Sequence, residues 1–241
     1  MHPISLIPLI DLTSLKSVET EQEIHQLCRR AHTPFGPVAA VCVWPRWVSL
    51  CAHLLRESPV AVATVVNFPH GRSANKAVLA ESIQALDNGA RELDLVVPWH
   101  QIKQGCLEPA ATLITEISDY CRATNAKLKV ILETGELNAP ALILQAANMA
   151  IESGADFIKT STGKAHINAT TKAAIPMLQA IAASGKAVGF KAAGGIQRLE
   201  QAHAYVRLAL HILGPKAMTP ERLRFGASGL LNNILRAEDR T

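Results

Sequence analysis

The sequence predicts a (β/α)8 barrel, the TIM-barrel class, built as a single domain over residues 1–241. Three observations predict it. Eight short apolar, β-type runs recur at roughly 25–40-residue spacing, the repeat of a strand-plus-helix unit. A helical pattern separates most successive runs. The run ending at Asp11 continues as DLTSLK. It has none of the glycines that an open, doubly wound sheet uses after its first strand to hold a dinucleotide.

The strands are expected at 6–11 (LIPLID), 38–44 (VAAVCVW), 60–68 (VAVATVVNF) and 92–97 (ELDLVV). Four more are expected at 128–133 (LKVILE), 156–161 (DFIKTS), 187–192 (AVGFKA) and 224–228 (RFGAS). Most are continuously apolar, as parallel strands covered on both faces must be. Helical spacing of apolar residues marks 18–31, 74–88, 107–122, 139–152, 170–184 and 198–212. The joints DNGARELDLV (87–96) and ESGADFIKTS (152–161) repeat one plan of helix, Gly-Ala turn and strand. A glycine ends such a helix without the Cβ clash of the left-handed conformation.

Composition narrows the function. The chain has 241 residues, 49% hydrophobic and 18% charged, with a net charge of +4. Its cations are scattered and its aromatic content is only 4%. That argues against a nucleic-acid surface and suits a small anionic substrate. No apolar run reaches the roughly 18 residues of a membrane span. The N-terminus lacks the basic leader and long apolar core of a signal peptide. Five cysteines, none in a C-x-x-C pair, predict free thiols and a cytoplasmic protein. The histidines show no metal-ligand spacing, so no metal and no other cofactor is expected.

A barrel keeps its chemistry at the C-terminal ends of its strands. Those ends supply Asp11, Cys42, Asn67, Asp94, Glu133, Lys159, Lys191 and Ser228, with Lys129 near the start of its strand. One lysine on an apolar strand is ordinarily an ion-pair partner or snorkels to solvent. Two at equivalent ends of adjacent strands are different. At about 6 Å and an effective dielectric near 20 their repulsion is roughly 2.8 kcal/mol, about two pKa units. Burial pushes the same way. Together these bring one amine toward neutrality near pH 7, where it can attack a carbonyl and form a Schiff base. Asp94 reads as a counter-ion able to relay protons. Asp11 reads equally well as a helix cap or a site residue, and Cys42 as a buried wall residue. Three glycine-containing loops, STGK (161–164), AAGGI (192–196) and GASGLL (226–231), follow the last three strands. Backbone N–H groups there can approach an anion, and barrels often hold phosphate at the last two loops.

These stretches resemble the deoxyribose-phosphate aldolase family of class I aldolases. The resemblance rests on LIDLTSL, VCVWPR, TVVNFPHG, GARELDLVVP, LKVILETGEL, GADFIKTSTGK, VGFKAAGGI and RFGASGLL, which run in order along nearly the whole chain. It implies reversible cleavage of 2-deoxy-D-ribose 5-phosphate to D-glyceraldehyde 3-phosphate and acetaldehyde, in deoxyribose phosphate catabolism. It implies that Lys159 forms the Schiff base, and that Lys191 depresses its pKa and works with Asp94 in proton transfer. Asp11, Cys42 and Lys164 would contact substrate. Gly163, Gly194, Gly195, Gly226 and Ser228 would surround the phosphate. A homodimer is a further implication.

The sequence departs from that family at three places. Gly229 stands where a second serine is common, and Gln197 where a basic residue is common. The sequence ends AEDRT, whereas some members end on a longer tail with a tyrosine. These changes are expected to alter affinity or rate rather than reaction type. The residues also leave open a Schiff-base aldolase of other specificity and a catalytically silent sugar-phosphate-binding barrel.

Overall fold

A computed structural model describes residues 2–238. The AEDRT ending therefore lies partly outside the described residues. Eight parallel strands close into a barrel. They are β1 (Ile10–Thr13), β2 (Ala40–Val43), β3 (Ala61–Val66), β4 (Glu92–Val96), β5 (Lys127–Ile131), β6 (Phe157–Lys159), β7 (Gly189–Ala193) and β8 (Leu223–Ala227). Each pairs with its neighbours in sequence, and β8 closes on β1 through Ile10↔Phe225 and Asp11↔Gly226. Outside run α1 (Glu21–Arg30), α2 (Val48–Leu54), α3 (Asn75–Asp87), α4 (Glu108–Ala123), α5 (Pro140–Glu152), α6 (Thr171–Ser184), α7 (Leu199–Leu213) and α8 (Leu230–Glu238). No helix among the described residues is long and apolar enough to cross a membrane.

The expected strands are all present, with ends shifted by a few residues and one correction. Residues 6–11 do not form the first strand as a unit. Pro3–Leu9 is a 3-10 helix, and the strand starts only at Ile10. Pro3 and Pro8 have no N–H to give a sheet ladder and hold φ near the helical value. The apolar residues still serve the core, because Leu6, Ile7 and Leu9 are buried where this segment packs against β8 and α8.

Most of the interior is one continuous apolar cluster between strands and helices, from Leu6 to Ile234. Burial of this kind contributes about 25 cal/mol per Å2 of apolar surface and supplies the main drive for folding. The repeated Gly-Ala joints behave as their sequences predict. Gly89 and Gly154 have φ of +103° and +102°. At Gly154 a Cβ would come within 2.5 Å of the Ser118 hydroxyl, so the turn has no room for a side chain.

Helix α1 begins where the chain leaves the barrel mouth, and its start is specified locally. The Thr20 hydroxyl accepts the Glu23 N–H at 3.3 Å, and the Glu23 carboxylate accepts the Thr20 N–H at 2.8 Å. This capping box satisfies two otherwise orphaned donors. Thr20→Ala is expected to lower stability by about 1 kcal/mol. Urea denaturation checks this, with an unchanged m-value marking a pure stability effect.

Candidate active site

The inside of the barrel is polar along one column. On β4, Glu92 and Asp94 are two residues apart and so face the same way, inward. Lys129, Lys159, Lys191 and Arg224 enter from β5, β6, β7 and β8, and Asp11 from β1. All seven are buried. Strand register aligns them. Asp94 is the Cα partner of Lys129, Lys159 of Lys191, and Lys191 of Arg224.

Their contacts form one connected network. One oxygen of Asp94 accepts from both the Lys159 and the Lys191 amine, each at 2.7 Å. The two amines are therefore at most twice that distance apart. The other Asp94 oxygen accepts from Lys129 at 2.9 Å. Lys191 also donates to Asp11 at 2.5 Å. Below them, the Arg224 guanidinium bridges Asp11 at 2.5 Å and Glu92 at 3.1 Å, and Lys129 meets Glu92 at 2.6 Å. The ends of β6 and β7 are tied together as well. The Thr160 hydroxyl donates to the Ala193 carbonyl at 3.2 Å and accepts its N–H at 3.0 Å.

The electrostatic consequences are unequal. Burial pushes the Lys159 amine below the usual lysine range, and the Lys191 charge adds to this against the pull of Asp94. Burial, rather than lysine–lysine repulsion, is thus the larger cause. Lys191 moves the other way. Burial disfavours its charge, but Asp11 and Asp94 together hold it above the ordinary value. For Asp94, burial alone would favour the acid, yet Lys129, Lys159 and Lys191 hold it well below the carboxylate range. Of two neighbouring lysines, one has its charged form disfavoured and the other has it favoured.

Lys159 is also the member of this network that lines an open cavity. The cavity, about 430 Å3, sits at the C-terminal ends of the strands. Thr162, Gly163 and Lys164 form one wall. Residues Ala193–Gln197 and Gly226–Ser228 form the next. Gly194 and Gly195 have φ of +91° and +81°, a turn that exposes its backbone to the cavity. The Lys164 amine reaches across the mouth to donate to the Leu15 carbonyl at 2.8 Å. Gly226 has a second reason to be glycine. A Cβ there would come within 2.9 Å of the Ala193 Cβ and 3.2 Å of the Lys191 Cε, so its absence makes room for the lysine stem.

The model of the family described as DeoC/LacD family aldolase matches residues 5–235. The chain belongs to the DeoC/LacD aldolase family. A deoxyribose-phosphate aldolase of Agrobacterium fabrum is 49% identical over 230 residues, covering 95% of this chain and 88% of that one. Among solved structures, a candidate deoxyribose-phosphate aldolase of Coccidioides immitis superimposes with a TM-score of 0.86 at 29% identity, covering 99% of this chain and 87% of its own. A tetrameric deoxyribose phosphate aldolase of Aeropyrum pernix shares the fold, with a TM-score of 0.82 at 23% identity and coverage of 99% and 93%.

Within this family fold, the expected site residues fall into two groups. Lys159, Lys164, Gly163, Gly194, Gly195, Gly226 and Ser228 line the cavity. Asp94 and Lys191 lie directly beneath Lys159. Asp11 and Cys42, expected to contact substrate, are fully buried and not among the lining residues. Asp11 is taken up by Lys191 and Arg224. Cys42 packs with Leu15, Ala40, Ala63 and Val65, and burial followed by the nearby Asp94 charge pushes its thiol up to about 11. Glu133 accepts the Thr162 N–H at 3.3 Å, and burial raises its pKa. Asn67 serves its loop, donating to the Val96 carbonyl at 2.8 Å and accepting the Ser73 N–H at 3.0 Å.

Sequence reading missed Glu92 and Arg224. The period-two rule applied to ELD would have turned Glu92 inward with Asp94, and applied to RFG would have put Arg224 on the face of Gly226. It also missed Lys16 and Arg30, which line the far side of the cavity from the loop after β1 and from α1. They lie in polar segments without any motif.

Proposed function

We propose that the protein is a deoxyribose-phosphate aldolase that works through a Schiff base on Lys159, cleaving 2-deoxy-D-ribose 5-phosphate to D-glyceraldehyde 3-phosphate and acetaldehyde. The observation that carries this reading is the shared Asp94 oxygen. It places a buried amine disposed to neutrality beside a charged one, at the edge of a cavity.

In this reading the Lys159 amine attacks C1 of the open-chain aldehyde, and loss of water gives the iminium. Removal of the C3 hydroxyl proton then breaks the C2–C3 bond, and its electron pair moves to C2 as the enamine. Glyceraldehyde 3-phosphate leaves. Protonation at C2 and addition of water release acetaldehyde and return the free amine. Lys191 and Asp94 hold and pass the protons, Lys191 as the charged member. The Schiff base carries the electron-sink role, so no step calls for a metal or other cofactor.

The phosphate is assigned to the turn at Gly194 and Gly195, with Gly163, Gly226, Ser228 and the Lys164 amine around it. Exposed backbone N–H groups, Lys16, Arg30 and Lys164 favour a dianion there. Asp11 and Cys42 act from beneath the cavity in this reading, Asp11 by orienting Lys191. The reading extends to a cytoplasmic homodimer in deoxyribose phosphate catabolism. Five cysteines without a disulfide suit a reducing compartment.

The deciding experiment is reductive trapping. Incubation with acetaldehyde and cyanoborohydride is expected to add one ethyl group, mapped by peptide mass to Lys159. Cleavage of 2-deoxyribose 5-phosphate is expected to persist in chelator. An unmodified Lys159 in a fully folded sample would overturn the reading.

A further inference from the structure

We propose that Glu92 and Arg224, on the floor of the barrel and out of the substrate's reach, determine which lysine of the site is neutral. The inference rests on the Schiff-base reading above and extends it to two residues that touch neither substrate nor Lys159.

The argument is a charge count. Three buried carboxylates, Asp11, Glu92 and Asp94, meet three buried cations, Lys129, Lys191 and Arg224. Each cation contacts at least two of the carboxylates. The set is already neutral before Lys159 is counted. A proton on Lys159 would leave this ion-paired set with a net positive charge in a buried, weakly screened space. Its one carboxylate partner, Asp94, is shared with two other amines. Lys191 has Asp11 as a second partner, and Lys129 has Glu92. Lys159 is therefore the base that yields its proton at least cost.

Glu92 and Arg224 complete this balance from below. They line a different cavity, about 420 Å3, at the N-terminal ends of the strands among Pro8, Pro37 and Pro220. Neither lines the cavity that contains Lys159. The groups facing Lys159 from the surrounding elements are Asp94 on β4, Lys191 on β7, Cys42 on β2 and Glu133 after β5. The floor acts on Lys159 through Asp11, Lys129 and Asp94. These are positioning residues, and the quantity they position is charge.

The sign of the effect follows. Glu92→Gln removes a negative charge, so the Lys159 amine becomes harder to protonate and the acid limb of its reaction moves to lower pH. Arg224→Met removes a positive charge and moves that limb to higher pH. Each shift is expected to be about one pH unit. Arg224→Lys keeps the charge and is expected to restore the wild-type midpoint.

The readout is the rate of acetaldehyde trapping by cyanoborohydride as a function of pH. Acetaldehyde has no ionisable group, so substrate phosphate titration does not enter. Circular dichroism at each pH confirms that the variants are folded. If Arg224→Met does not fold, Lys129→Met tests the same sign from β5. Opposite shifts for the two charge removals support the proposal. A purely structural role would change amplitude or melting temperature and leave the midpoint in place, and that result overturns it. Absence of a Lys159 adduct in the wild-type protein overturns the Schiff-base reading itself and this inference with it.

Discussion

Replacing Lys159 by methionine is expected to lower kcat for 2-deoxyribose 5-phosphate cleavage by about 10^4-fold or more, while the protein stays folded and at least as stable. The loss follows from the role. No other amine of the network lines the cavity, and removal of a covalent nucleophile is among the most damaging changes an active site can suffer. The stability half follows from linkage. In the unfolded chain at pH 7 this lysine is protonated. In the folded protein burial and Lys191 push its proton affinity down. The native state thus holds this charge less favourably than the unfolded one, a cost that the apolar replacement removes. Lys129→Met should do the opposite, because it strips a cation from Glu92 and Asp94 and leaves buried carboxylate charge uncompensated. Parallel steady-state assays and thermal melts separate the two. A Lys159→Met protein retaining a tenth of wild-type kcat would remove this residue from the chemistry.

Asp94→Asn is expected to damage stability and turnover together. Asp94 is fully buried and accepts from three lysines. Neutralising it leaves Lys129, Lys191 and Arg224 facing only Asp11 and Glu92. Breaking a buried charge network from one side costs roughly 3–5 kcal/mol, which at about 2–4 °C per kcal/mol is a melting-point loss on the order of 10 °C. In the proposed mechanism Asp94 passes protons, so its loss adds a fall in kcat of about 10^2-fold or more. The pH dependence has a definite sign. The folded-state pKa of Asp94 is lowered, so its contribution is fully present above the unfolded carboxylate value near 3.9 and is lost as pH falls through the lower folded value. The stability gap between wild type and Asp94→Asn should therefore be constant near neutrality and close progressively below about pH 4. A gap that persists undiminished at pH 2 would mean that Asp94 stabilises by shape rather than by charge.

Much of this arrangement was legible in the chain because the fold repeats a local rule. Strand existence followed from apolar runs at regular spacing, and only their ends moved. The exception was the first run, where two prolines turned an apolar segment into a 3-10 helix without changing its burial. Lys159, Lys191 and Asp94 stood out because charge on an apolar strand is costly unless it is used. Glu92 and Arg224 did not stand out, since each sits next to the beginning of its strand, where charge usually meets solvent. Only closure of the barrel buries them. Asp11 and Cys42 were assigned to the right strands, but Asp11 is the second residue of a strand that begins only at Ile10, and depth inside a barrel depends on register between strands far apart in sequence. Residue type carries no such information.

The seam between β1 and β8 has a consequence for how the chain reaches its working state. Asp11 finds its Arg224 partner 213 positions later in the sequence. During synthesis, an early carboxylate destined for the interior must wait in water while almost every other barrel strand emerges. Such long-range closure is intrinsically slow. Until the final strand docks and closes the ring, Lys191 on β7 is not held against Asp11 on β1 and the floor lacks Arg224.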